Sequence, residues 1–248
     1  MLRGLIWDVD GTLAETEEVH RKAFNLAFAE AGLDWQWDRQ TYARLLAVSG
    51  GKERIAHFQG TAAEKVVLDA GGIASLHDRK TLLYAELISS GRIQLRPGVG
   101  RLLEEAAQAG LRLGIATTTS EVNVRALLAS TLGTRTPHWQ AMVCGDDVPR
   151  KKPAPDVYMT ALAQLELPAS ECLAIEDSEN GLRAALAAGI ACLVIPSEYT
   201  DGQNFCEALA VMESLEKDPC GGPVNVVRLF DWHRTREQQK QAAKKNLA

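Results

Sequence analysis

Short apolar runs alternate along this chain with longer stretches in which apolar residues recur every three or four positions. Residues 2–9, centred on Leu5-Ile6-Trp7, form the first run and predict a buried strand. Val19, Ala23, Phe24, Leu26, Ala27 and Ala31 follow at helical spacing. Thr16 is placed to cap that helix, Glu17 and Glu18 suit its positive end, and Gly32 suits its stop. From there to about residue 90 the pattern stays helical with no strand, punctuated by Gly50-Gly51 and Gly71-Gly72.

The texture changes at Arg96-Pro97-Gly98. Val99, Leu102, Leu103 and Ala106 predict a helix ending at Gly110, followed by a strand over residues 111–117. Helices beginning near Ser120-Glu121, after Pro155-Asp156 and around Leu182 then alternate with strands over 141–144, 172–175 and 191–195. Strands alternating with helices predict an α/β fold, a Rossmann-like, doubly wound parallel sheet. The helical stretch interrupts this alternation directly after the first strand. It is read as an inserted helical cap domain over residues 16–90, the core being residues 1–15 and 91–248. Beyond Pro196 the pattern weakens, and residues 234–248 are polar and Lys/Gln-rich, a solvated helix or a frayed tail.

Length and composition change this picture little. At 248 residues, 46% hydrophobic and 24% charged, the chain resembles an ordinary globular protein. Its net charge of −5 gives nonspecific nucleic-acid binding no bulk support. Cys144, Cys172, Cys192, Cys206 and Cys220 are scattered and form no CxxC pair, which argues against a disulfide framework or zinc site and for a reducing cytoplasm. No signal peptide precedes the first strand, and no apolar run reaches the length of about 18 residues that a membrane span needs. The expectation is a cytoplasmic protein, a monomer by default, with neither nucleic acid nor membrane as partner.

The chemistry gathers at predicted strand ends, where open parallel sheets bind ligands. The first strand runs into Asp8-Val9-Asp10-Gly11-Thr12, two carboxylates whose spacing lets them face one space. One can attack an electrophile while the other manages the proton, although an Asp-Gly turn alone gives the same pattern. Thr117-Thr118-Thr119-Ser120 ends a second strand and can hold an oxyanion or cap a helix. Arg150-Lys151-Lys152-Pro153 supplies a fixed positive charge or a solvated basic loop. Glu176-Asp177 ends another strand, as an acidic helix cap or as two more ligands for a hard cation beside Asp8 and Asp10. Mg²⁺ fits such a set best, because it takes few carboxylates plus substrate phosphate. A calcium-loop reading of the first motif fails on spacing.

Taken together, Asp8-Val9-Asp10-Gly11-Thr12-Leu13, Thr117 within Ile115-Ala116-Thr117-Thr118, Lys152-Pro153-Ala154-Pro155-Asp156-Val157-Tyr158 and Glu176-Asp177-Ser178-Glu179-Asn180-Gly181 resemble the motifs of the haloacid dehalogenase superfamily. The resemblance covers residues 2 to about 197. The helical insert resembles the type 1 cap of its β-phosphoglucomutase-like branch, and within that branch the CbbY-type sugar-bisphosphate phosphatases of Calvin-cycle bacteria. It implies a Mg²⁺-dependent phosphatase with Asp8 as nucleophile, Asp10 as general acid/base, and Thr117 and Lys152 holding phosphoryl oxygens. Asp8, the Asp10 backbone carbonyl, Asp177 and Glu176 are the implied metal ligands. Arg54 matches a position that binds a distal phosphate, with Lys52 beside it. Glu17, His20 and Thr118 are further expected substrate contacts. The implied substrate is a small phosphorylated sugar such as xylulose-1,5-bisphosphate. A β-phosphoglucomutase-type isomerase and a non-catalytic sugar-phosphate-binding module are the alternatives. Glu15-Thr16 departs from the common Asp-Thr, and Lys151-Lys152 doubles the usual single lysine.

Overall fold

The computed structural model describes residues 1–61, 66–90, 93–218 and 221–245. The inferred domain boundary at Gly91, Cys220 and the last three residues of the tail lie outside the described residues. Six parallel strands form one sheet: β1 (Gly4–Trp7), β2 (Arg112–Ala116), β3 (Ala141–Val143), β4 (Cys172–Glu176), β5 (Ala191–Val194) and β6 (Ala210–Val211). Their order is β3-β2-β1-β4-β5-β6, with β1 central: Ile6 registers with Gly114 on one side and Ala174 on the other. The two-residue β6 carries no signal in the sequence pattern.

Period-two alternation divides the sheet between two cores. Leu5, Trp7, Leu113, Ile115, Leu173 and Ile175 face α5 (Val99–Gln108), α6 (Glu121–Thr131) and α9 (Val226–Lys245). Ile6, Ala174, Cys192 and Val194 face α7 (Asp156–Leu165) and α8 (Glu179–Ala187). The sheet is therefore doubly wound, with its strand carboxyl ends along one edge. No described helix is long and apolar enough to cross a membrane. Cys144, Cys172 and Cys192 are buried free thiols, and Cys206 is an exposed one.

Among the described residues, four helices lie between β1 and α5: α1 (Glu17–Glu30), α2 (Arg39–Leu45), α3 (Gly51–Thr61) and α4 (Ala70–Ser89). An aromatic cluster holds them. Trp37 lies 4.7 Å from Phe24 and 4.8 Å from Phe28 between ring centroids, and Trp35 meets Phe58 edge-on at 5.5 Å. Two sequence expectations change here. Gly71-Gly72 do not separate helices; they lie in the first turn of α4, which Asp69 caps by accepting from Gly72 N at 2.7 Å. Thr16 precedes α1, but its hydroxyl does not cap it; it donates to Asp10 Oδ1 at 2.6 Å.

The ends of β2 and β3 are tied where Gly145 N donates to Thr119 O at 2.8 Å. A Cβ on Gly145 would stand 2.2 Å from Thr118 O, so only glycine allows this crossing. Gly145→Ala is expected to destabilise the protein by about 1–3 kcal/mol, as overpacking does. A thermal melt should read this as a midpoint about 2–4 °C lower for each kcal/mol.

Candidate active site

Asp8 lies just past β1, and Glu176 closes β4 beside it. Asp8 N donates to Ile175 O at 3.0 Å, which fixes the two strand ends side by side. Lys152 Nζ bridges them, 2.7 Å from Asp8 Oδ1 and 2.6 Å from Glu176 Oε1. Tyr158, on α7, also donates to Glu176 Oε1, at 2.5 Å. Oxygens of Asp8, Glu176 and Asp177 lie within 4.8 Å of one another, and all three residues are buried. A Cβ on Gly11, whose φ is +80°, would stand 2.2 Å from Asp177 Oδ2. The turn after Asp10 therefore has to be glycine for the two acidic motifs to meet.

This cluster carries three carboxylates and one lysine. Burial pushes the Asp8 carboxyl up to about 8, with repulsion from Glu176 and Asp10 adding to it and Lys152 opposing. Burial, then Asp8 and Glu176, raise Asp177 well above the carboxylate range. Burial disfavours the Lys152 charge, but Asp8 and Glu176 outweigh it and raise that ammonium above its ordinary value. Glu176 Oε2 is buried without a partner. A cluster short of two positive charges, with an orphaned carboxylate oxygen and hard oxygen donors, fits a divalent cation. The acidic-cap alternative does not describe these residues, because Ser178 caps α8 by accepting from Gly181 N at 3.1 Å.

Asp10 faces the helical insert. Its Oδ1 accepts from Thr16 and lies 2.9 Å from His20 Nε2, on α1. His20 Nδ1 is 2.7 Å from Lys80 Nζ, on α4. A neutral imidazole protonated at Nε2 satisfies this chain: Lys80 donates to Nδ1 and Nε2–H donates to Asp10. Burial pushes Asp10 up, but His20, Thr16 and Lys80 outweigh it and hold the carboxyl well below its usual range. Burial lowers Lys80 to about 7. Sequence reading missed Lys80. Its signal was available: it interrupts the apolar stripe Ile73, Leu76, Leu83, Tyr84, Leu87 of α4, where a lysine must be buried.

A cavity of about 270 Å³ opens between the sheet edge and the helices, lined by Asp8, Asp10, Glu17, His20, Arg54, Lys80, Thr117, Thr118, Lys152 and Asp177, among others. It thus gathers most of the residues expected from sequence. Thr117 is buried, and its Oγ1 accepts from Thr119 N at 3.3 Å. Ser120 precedes α6 without a side-chain capping bond. Lys152 rather than Lys151 reaches Asp8; Lys151 donates to the Gly145 carbonyl, and Arg150 pairs with Asp156 at 2.9 Å. Arg54 donates to Leu45 O, Tyr42 Oη and Val48 O, each at 3.2 Å. Lys52 corrects the sequence expectation. It does not line the cavity but pairs with Asp146 at 3.1 Å, because residues two apart on α3 point to different faces. His77 and Asn180 line the cavity and were not foreseen. Asn180 donates to Ala47 O at 3.2 Å and to Ser49 Oγ at 3.3 Å, joining α8 to the loop between α2 and α3.

Comparison with known proteins agrees with this geometry. A family model described as haloacid dehalogenase-like hydrolase matches residues 2–189. Protein CbbY of Rhodobacter capsulatus is 50% identical over 208 residues, covering 84% of this chain and 91% of that protein. The crystal structure of CbbY from Rhodobacter sphaeroides in complex with phosphate superposes with a TM-score of 0.83 at 46% identity, covering 86% of this chain and 95% of that one. A mutant of the same protein, in complex with xylulose-(1,5)bisphosphate, gives 0.83 at 45% identity with the same coverage.

Two outcomes follow from the charges. A divalent cation held at about 100 times its Kd stabilises the native state by about 2.7 kcal/mol, a rise of about 5–10 °C for a chain of this size. Calorimetry with and without chelator should show it for the wild type, and Asp177→Asn should lose most of it. For Lys80 the sign is set by its lowered value. Folded and unfolded chains both hold the proton below about pH 7, so the burial penalty is full there. Above that the unfolded chain alone keeps the proton, and the penalty fades as pH rises. Lys80→Met should therefore melt above the wild type near pH 6, with the gap closing towards pH 9.

Proposed function

Because this chain belongs to the haloacid dehalogenase-like hydrolases, we propose that it is a Mg²⁺-dependent phosphatase. Its proposed substrate is a small phosphorylated sugar, a ketose bisphosphate such as xylulose-1,5-bisphosphate. The observation that carries this reading is the cavity itself, whose lining includes both the Asp8–Lys152 pair and Arg54. A site that combines a nucleophilic carboxylate with a further cationic anchor for a second phosphate suits a bisphosphate. The sugar-bisphosphate complex of the 45% identical CbbY supports the same substrate class.

In this reading residues 16–90 act as a cap over a core made of residues 1–15 and 91–248. Asp8 attacks phosphorus in line, forming an aspartyl-phosphate as the sugar oxygen departs. Lys152 Nζ, Thr117 and the backbone N–H groups after it hold the equatorial oxygens, where charge builds. The proton of the phosphate monoanion passes through the Asp10 carboxylate to the departing sugar oxygen. In the second half Asp10 takes a proton from the water that attacks phosphorus and hands it to the phosphate, which leaves, so Asp8 and Asp10 return to their ionised starting states. Thr16 and His20 hold the Asp10 carboxylate in place for both transfers. Asp8, Asp177, Glu176 and the Asp10 carbonyl would hold Mg²⁺, which when bound neutralises phosphoryl charge that the carboxylates would otherwise repel. Glu17 is the proposed hydroxyl contact, and Thr118 borders the phosphoryl site.

The test is phosphate release from a panel of sugar mono- and bisphosphates, with and without Mg²⁺. Release should depend on Mg²⁺, be strongest for a ketose bisphosphate, and fall by at least about 10³-fold in Asp8→Asn, the scale of losing a covalent nucleophile. Conversion of β-glucose 1-phosphate to the 6-phosphate without net phosphate release would overturn the hydrolase reading in favour of an isomerase.

A further inference from the structure

Glu17 and Arg54 line the same cavity with opposite charges, on α1 and α3. They form no direct ion pair among the described contacts, because Tyr42 stands between them. Its hydroxyl donates to Glu17 Oε2 at 2.7 Å and accepts from Arg54 Nη1 at 3.2 Å. We infer that Tyr42 is a positioning residue that sets the separation of Glu17 and Arg54, and thereby selects substrates carrying a hydroxyl and a second phosphate at that spacing. This rests on the phosphatase reading above.

Tyr42 is suited to the task by its rigidity. It is fully buried, with ring centroids 6.2 Å from Phe24 and 6.0 Å from Trp37. On its other side Tyr199 meets it edge-on at 5.7 Å. Tyr199 belongs to the segment after β5, where Thr200 donates to Asp177 Oδ2 at 3.3 Å. The hydroxyl position is thus fixed by packing against both the cap helices and the core. Burial, then Glu17, raise the Tyr42 hydroxyl well above its ordinary value, so the proton donated to Glu17 stays in place.

The arrangement also leaves Arg54 usable. Of its five N–H groups, one each goes to Leu45 O, Tyr42 and Val48 O, leaving one on each Nη. Two such donors match a phosphate edge. Without the tyrosine hydroxyl no group stands between the two charges, and only Leu45 O and Val48 O hold the guanidinium back from a pairing with Glu17 that would quench both recognition groups. Tyr42→Phe keeps the ring and its packing and removes only this spacer.

The experiment measures kcat and KM for xylulose-1,5-bisphosphate and for the corresponding ketose monophosphates, in wild type, Tyr42→Phe, Arg54→Ala and the double variant. The preference of Tyr42→Phe for the bisphosphate should fall about tenfold or more, the scale of one hydrogen bond to a charged group. Most of that loss should lie in KM. In the Arg54→Ala background the same change should have little further effect on the preference, because Tyr42 acts through Arg54. Equal losses on all substrates would show a merely structural role, and purely additive losses would show independence from Arg54; either overturns the inference. A wild type indifferent to the second phosphate would sink the bisphosphate reading and this inference with it. A wild type that prefers the bisphosphate, with a Tyr42→Phe variant that keeps that preference, would sink this inference alone. Circular dichroism and melting of Tyr42→Phe, with Tyr42→His as a second variant that keeps a polar ring, guard against misfolding.

Discussion

One buried lysine shared by two carboxylates organises the sheet edge. Lys152 reaches Asp8 after β1 and Glu176 at the end of β4, and Asp177 adds a third buried acid beside them. Acids so close together out of water cannot all stay ionised without cations, and a single ammonium does not balance three of them. The remaining deficit is what makes the cluster a site for a divalent cation. It is also what would draw a substrate whose phosphate needs a metal and a lysine beside it. The turn at Gly11 and the register of β1 against β4 follow from having to bring these groups within reach.

The second constraint is the attachment of the helices to that edge. Four helices gathered around Trp35, Trp37, Phe24 and Phe28 hold their own shape by aromatic packing. They also meet the core through polar contacts, Asn180 to Ala47 and Ser49, Lys52 to Asp146, Arg39 to Glu198 at 2.7 Å, and Tyr199 to Glu18, beside the apolar packing of α4 on α6. Exposed ion pairs of this sort contribute little each. Arg96 anchors the return of the chain, hydrogen-bonding Ile195 O and Pro196 O at 2.7 Å and pairing with Glu15 at 3.2 Å.

Asp8 and Asp10 show how two residues of one motif acquire different chemistry. Asp8 sits among acids and is pushed up; Asp10 sits against Thr16, His20 and Lys80 and is held down. Period-two alternation past β1 lets both carboxylates line one cavity, yet their partners come from different elements, the loop before α7 for Asp8 and the inserted helices for Asp10.

By itself the sequence determined the alternation of strands and helices, the helical insert after β1, and the acidic, hydroxyl and lysine motifs at strand ends. These are local facts: a side-chain period reports which face is buried, and glycine, proline and charged residues mark where elements stop. The tertiary structure alone decided that Thr16 serves Asp10 rather than its helix, and that Lys52 turns away from Arg54. It also brought Lys80 and Tyr42 into the site from 60 and 25 residues beyond their partners His20 and Glu17. Those outcomes depend on how separate helices pack. A buried hydroxyl or ammonium takes its role from the partner that packing supplies, and no local spacing records that partner.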